Sequence, residues 1–130
     1  MVRRYARLGF LAVAWLFVAC AIVQVFLAGL GVFGVPAGDF ATHRAWGYTF
    51  SWLILVLVAL ALIGRVSRRE IGLSVLLIVL FALQSILVGA RTDYTWVAAL
   101  HPLNGFAILL VGIYLANGAR RYRHPQSAPA

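Results

Sequence analysis

Four uncharged, apolar stretches limit what this chain can become: residues 8–38, 45–64, 71–90 and 94–119 take up most of its 130 residues. A helix needs about 20 mostly apolar residues to cross the hydrocarbon core of a bilayer, so each stretch is long enough to cross once. Only helices and closed barrels satisfy their backbone hydrogen bonds in lipid, and these Leu/Val/Ile/Ala runs lack a barrel strand's two-residue alternation. The expected fold is therefore an all-α, integral membrane four-helix bundle. Its spans are expected near 8–31, 42–63, 71–90 and 97–118, forming one membrane domain over 1–119. A basic tail over 120–130 is expected to lack regular structure.

Composition agrees. The chain is 64% hydrophobic and 11% charged, with a mean hydropathy of +0.97. A soluble domain carries about 25% charged residues. Soluble enzymes and disordered tails are thereby excluded. The formal charge of +8 comes from 11 arginines set against Asp39, Glu70 and Asp93. A nucleic-acid binder spreads such charge over a solvated face. Here it falls in short clusters between long uncharged runs, so nucleic acid is not an expected partner and the lipid bilayer is.

The arginines also predict orientation. Arg3, Arg4 and Arg7 precede the first stretch, Arg65, Arg68 and Arg69 separate the second from the third, and Arg120, Arg121 and Arg123 follow the fourth. Only Arg44 and Arg91 fall on the other side. Positive residues stay cytoplasmic, so both termini are expected inside, in a multi-pass protein of a bacterial cytoplasmic membrane. Tyr5 and Tyr122 then mark the inner interface, and Phe40, Trp46, Tyr94 and Trp96 the outer one. The segment 3–20 resembles a signal peptide ending at Cys20, but the apolar run continues to Phe33, as a membrane span does. Cys20 is the single cysteine and reads as a small apolar residue within span 1.

An internal repeat carries the chemistry. Span 1 contains Gln24-x4-Gly29 and span 3 contains Gln84-x4-Gly89; span 2 opens with His43-x3-Gly47 and span 4 with His101-x3-Gly105. The order and spacing predict two parallel helical hairpins related by a pseudo-twofold axis along the membrane normal. His43 and His101 would face each other across the bundle centre near its outer face. Two facing imidazoles are what a six-coordinate haem requires. Glycine four residues after each histidine lies on the same helix face, so Gly47 and Gly105 would admit a flat macrocycle, and Gly29 and Gly89 would do so on spans 1 and 3. Gln24 and Gln84 lie about 7.5 Å deeper than those glycines, lining the cofactor edge or bonding each other. Arg44 and Arg91 stand at the outer mouths, where two haem propionates would meet them.

Each feature has a plainer role beside it. A histidine at a membrane mouth can bond a loop, glutamines can hold helices together, glycines can serve close packing, and the two arginines can meet lipid phosphate. Asp39 is expected to cap span 2, and Asp93 or Thr95 to cap span 4. Pro102 opens or kinks span 4. His124 belongs to the solvated tail.

The pattern Gln24…Gly29, His43-Arg44, Gln84…Gly89, His101 resembles one four-helix half of the haem A synthase family and, more loosely, cytochrome b561-type bundles and small four-span bacterial proteins. The resemblance implies a haem b held between His43 and His101. It departs at Phe40, where haem A synthases carry a Glu, and in lacking the outer cysteine pair and the second half. Haem A synthesis is not implied. The function expected is a small b-type haem protein that transfers electrons, with a redox protein or quinone as partner and no acid–base catalysis. The alternative is an accessory or structural subunit without cofactor. A small multidrug-type pump needs an intramembrane carboxylate, and all three acids are expected in loops.

Overall fold

The computed structural model describes residues 1–35 and 40–123. Four long helices dominate: α1 (Val2–Val32), α2 (Phe40–Gly64), α3 (Arg68–Gly89) and α5 (Leu100–Ala119), with a single turn, α4 (Thr95–Ala98), before the last. All four long elements are long and apolar enough to cross a membrane. At 31 residues, α1 is about 46 Å long and outreaches a hydrocarbon core of about 30 Å. Arg120–Arg123 forms a 3-10 turn continuing α5, so the first four tail residues are ordered, contrary to expectation. The expected cap Asp39 and the tail residue His124 lie outside the described residues.

Neighbouring helices follow one another round a ring: α1 packs on α2, α2 on α3, α3 on α5, and α5 on α1. The diagonals are α1 with α3 and α2 with α5. This is the arrangement of two parallel hairpins, α1–α2 and α3–α5, about a twofold-like axis. The histidine-bearing helices α2 and α5 stand diagonally opposite.

Each helix is apolar nearly all round, as expected of a membrane span, and buries one stripe. On α2 that stripe is Phe50, Ile54, Leu57, Ala61 and Gly64, alternating by three and four residues. On α1 it is Ala6, Phe10, Ala14, Phe17, Val18 and Ala21. Lipid tails are as apolar as leucine, so burial alone does not drive helices together; close packing over small residues does. Gly112 of α5 shows it: a Cβ there would stand 3.0 Å from the Phe17 ring. Phe17, Phe50 and Phe81 fill the centre with ring centroids 5.4–6.1 Å apart. Outward faces present Trp52, Leu62, Val79, Phe106 and Leu110, all largely exposed.

The turn between α2 and α3 is the best-tied part of the arginine-rich end. Helix α2 closes with Arg65 in the left-handed region (φ 47°), and Val66 N–H donates to Ala61 while Arg65 N–H donates to Leu62. This is the paired bond pattern that satisfies terminal carbonyls. Arg7 adds its guanidinium to Gly64 O (2.9 Å) and Arg65 O (3.2 Å). Ser67 and Glu70 then form a capping box that starts α3. Glu70 is buried within the first turn of α3, which corrects the expectation that every acid lies in a loop. Its carboxylate pairs with Arg121 at 2.8 Å. The arginines at this end thus do more than bias orientation.

Span 4 differs from expectation at its entry. The one-turn α4 begins after Tyr94, whose side chain makes no capping bond, while Thr92 Oγ1 donates to Asp93. Neither Asp93 nor Thr95 caps the helix. Pro102 occupies the third position of α5, where a missing N–H falls among first-turn donors that lack helical partners anyway. His101 stays in that first turn.

Candidate functional site

The repeated residues converge at the end of the bundle away from the arginine clusters. The His43 and His101 rings lie with centroids 6.2 Å apart and planes at 66°. Each ring is bound twice by the glutamine of its own hairpin. His43 Nδ1 is 3.1 Å from the Gln24 carbonyl and its Nε2 is 3.2 Å from Gln24 Nε2. For His101 the corresponding distances to Gln84 are 3.3 and 3.2 Å.

These contacts decide the tautomer by elimination. A carbonyl oxygen only accepts, so Nδ1 carries the proton in both rings, and Nε2 presents a lone pair to the amide N–H of glutamine. Nδ1–H on a main-chain carbonyl with the lone pair on Nε2 is the arrangement that metal-ligating histidines adopt, although here the glutamine amide occupies that lone pair.

The site extends one turn deeper through residues the sequence reading missed. Trp46 Nε1 donates to Cys20 O at 3.0 Å, and Asn104 Nδ2 donates to Leu80 O at 2.9 Å. Trp46 and Asn104 each stand three residues after a histidine, and Cys20 and Leu80 each stand four before a glutamine. The repeat therefore reaches four more positions. Its trace in the sequence is an N–H donor immediately before each glycine, in His43-Arg-Ala-Trp-Gly and His101-Pro-Leu-Asn-Gly. Trp46 turns its indole inward to α1 and so is no simple interface marker.

The two halves differ at the glutamine amide oxygen. Asn104 has a second N–H, which it donates to Gln84 Oε1. An indole has one N–H only, and Gln24 Oε1 is left buried without a partner.

The faces of Gly47 and Gly105 are occupied by side chains of the same layer. A Cβ on Gly47 would meet Gln24 Nε2 at 2.9 Å, and one on Gly105 would meet Gln84 Nε2 at 3.5 Å. Both glycines make room for a glutamine amide. Gly29 and Gly89 meet nothing within 4 Å. Because the main chain at Gln24 and Gln84 is level with the histidine rings, those two glycines lie beyond the layer toward the helix ends. Gln24 and Gln84 are not a deeper rim, and they bond histidines, not each other. Arg44 and Arg91 are exposed at this end and form no ion pair with a described residue. Phe40 stands edge-on to His43, with centroids 6.3 Å apart.

One distance in this layer matches a pair of imidazoles on a shared metal. Two imidazoles that share a metal through Nε2 have ring centres about 6 Å apart, because each metal–nitrogen bond is about 2 Å. The rings here already have that spacing. Among the described residues no third His, Cys, Asp or Glu joins them. The amides on the faces of Gly47 and Gly105 are the far ends of flexible side chains. A macrocycle would displace them from Nε2.

Taken together, these features define a class: a four-helix, membrane-spanning bundle with a twofold-related histidine–glutamine layer near one end. The chain belongs to the DUF6220 family, described as a family of unknown function, whose pattern matches residues 24–92. That stretch runs from Gln24 past Gln84 and includes His43, while His101 lies beyond it. No curated protein and no solved structure matches the chain.

Proposed function

We propose that this membrane protein binds a b-type haem between His43 and His101 and transfers electrons. The observation that carries the reading is the symmetric pair of Nδ1-protonated imidazoles, whose ring centres are 6.2 Å apart across the bundle. The resemblance to one half of the haem A synthase family rests on these same two histidines. A bound haem would supply one-electron chemistry, with two imidazole ligands setting its potential. The chain's own residues do the rest. The carbonyls of Gln24 and Gln84 hold both rings in the ligating tautomer. Phe17, Phe50 and Phe81 close the bundle beneath them against water. Arg44 and Arg91 offer charge at the mouth for propionates or lipid phosphate. The arginine bias supports a bacterial cytoplasmic membrane with both termini inside, which sets the site near the outer face, within reach of a redox protein or quinone.

One observation favours a second reading. Every ring nitrogen of both histidines already has a hydrogen-bond partner, so the layer can serve as a polar clamp between helices in an accessory subunit. Absorption spectra separate the two. Protein purified from haem-supplemented cells is expected to show a low-spin b-type spectrum that His43→Ala and His101→Ala each abolish. Colourless wild-type protein whose melting temperature falls in both variants would establish the clamp instead.

A further inference from the structure

At the opposite end of the bundle the carboxylate of Glu70 is loaded on one side only. Its Oε2 accepts from Ser67 N–H (3.1 Å), Ser67 Oγ (3.1 Å), Arg121 (2.8 Å) and the Tyr122 hydroxyl. Its Oε1 is buried and accepts nothing, on a residue only 3% exposed. Leaving a buried carboxyl oxygen without a partner is costly, so such an atom calls for one. Oε1 faces Gly118, where a Cβ would come within 3.4 Å of it. Gly118 lines a groove of about 170 Å³ between the start of α3 and the end of α5, together with Arg69, Leu73, Tyr114 and Arg121.

The groove's chemistry is zwitterionic. Arg69 is held over the Tyr114 ring, 4.4 Å from its centroid. Arg121 spends one terminal nitrogen on its Glu70, Ser67 and Tyr122 contacts, and a guanidinium has five N–H donors. Two cations suited to a phosphate thus flank a carboxylate of which one oxygen lacks a donor, beside the apolar side chains of Leu73 and Leu115 and the Tyr114 ring.

We propose that this groove binds the phosphoethanolamine headgroup of a phospholipid. Because the oxygen is closed to water, the headgroup must part the side chains around it: the primary ammonium then donates to Glu70 Oε1, the phosphate lies between Arg69 and Arg121, and the first chain carbons lie along Leu73 and Tyr114. A primary ammonium brings three N–H donors; the trimethylated headgroup of phosphatidylcholine brings none. A purely anionic lipid would satisfy the arginines and leave Oε1 unmet. The site is independent of any cofactor at the histidines.

Native mass spectrometry of the detergent-purified protein tests this, using phosphatidylethanolamine, its N-methyl and N,N-dimethyl derivatives, phosphatidylcholine and phosphatidylglycerol with identical acyl chains. One phosphatidylethanolamine is expected to bind about tenfold more tightly than phosphatidylcholine, the gain of one charge-assisted hydrogen bond. Affinity should fall along the methylation series. Gly118→Ala covers Oε1 with a methyl group and should remove this preference while leaving phosphatidylglycerol binding unchanged. Arg69→Gln should weaken both zwitterionic lipids and preserve their ratio. Equal binding of phosphatidylethanolamine and phosphatidylcholine, a preference surviving Gly118→Ala, or phosphatidylglycerol binding more tightly than either would overturn the proposal.

Discussion

At the residue scale, the histidine layer is a matter of which atoms have a donor or acceptor in reach. Gly47 and Gly105 look equivalent in the sequence, yet an added methyl would lie 2.9 Å from the Gln24 amide and 3.5 Å from the Gln84 amide. The first distance forces a shift and the second is ordinary contact. Gly47→Ala should therefore push the flexible Gln24 amide off His43 and cost about 1 kcal/mol, the loss of one hydrogen bond, whereas Gly105→Ala should be nearly neutral. Thermal melts of the two variants in the same detergent check this; equal effects would mean that the glutamine amides do not occupy those faces. The histidines and glutamines were legible as a repeated pattern. The partners Trp46 and Asn104 were not, because Trp reads as an interface aromatic and Asn as a turn residue until the helices are placed side by side.

At the scale of elements, most of the order at the arginine-rich end comes from helix termini. Ser67 both caps α3 and receives the Arg121 guanidinium at 3.0 Å. Ser67→Ala should cost about 1 kcal/mol from the lost cap, and amide hydrogen exchange at Glu70 and Ile71 should speed up more than at mid-helix positions. Uniform protection along α3 would contradict that local role. The capping box was open to reading in Ser67-Arg-Arg-Glu70, a serine and a glutamate three apart before an apolar run. It was obscured because Glu70 among three arginines looks like a loop charge. The split of the last span into α4 and α5 at Ala99 had no such trace, since Ala-Ala-Leu-His is compatible with uninterrupted helix.

At the scale of the whole molecule, the ring order α1–α2–α3–α5 places α2 and α5 on a diagonal, which alone lets two histidines from different hairpins approach. Four crossings also bring both chain ends to one side of the membrane. Cysteines introduced near Met1 and after Arg123, in a chain with Cys20 replaced by Ala, should both react with an impermeant reagent only from the cytoplasmic face. A Cys at Trp96 should react only from the outside. Labelling of the two ends from opposite faces would refute the four-span topology, and labelling of both ends from outside would refute the arginine-based orientation.

The sequence by itself determined that the chain spans a membrane four times as helices and that its two halves repeat. Apolar length and the need to satisfy backbone bonds in lipid leave few other outcomes, and both are read along one strand of text. Tertiary structure decided the rest: which glycine faces a glutamine and which faces open space, which nitrogen of each histidine carries the proton, and that Glu70 is buried with one oxygen unmet. Those are properties of distances between helices. In lipid, close packing and paired polar groups set such distances, and hydropathy does not encode them.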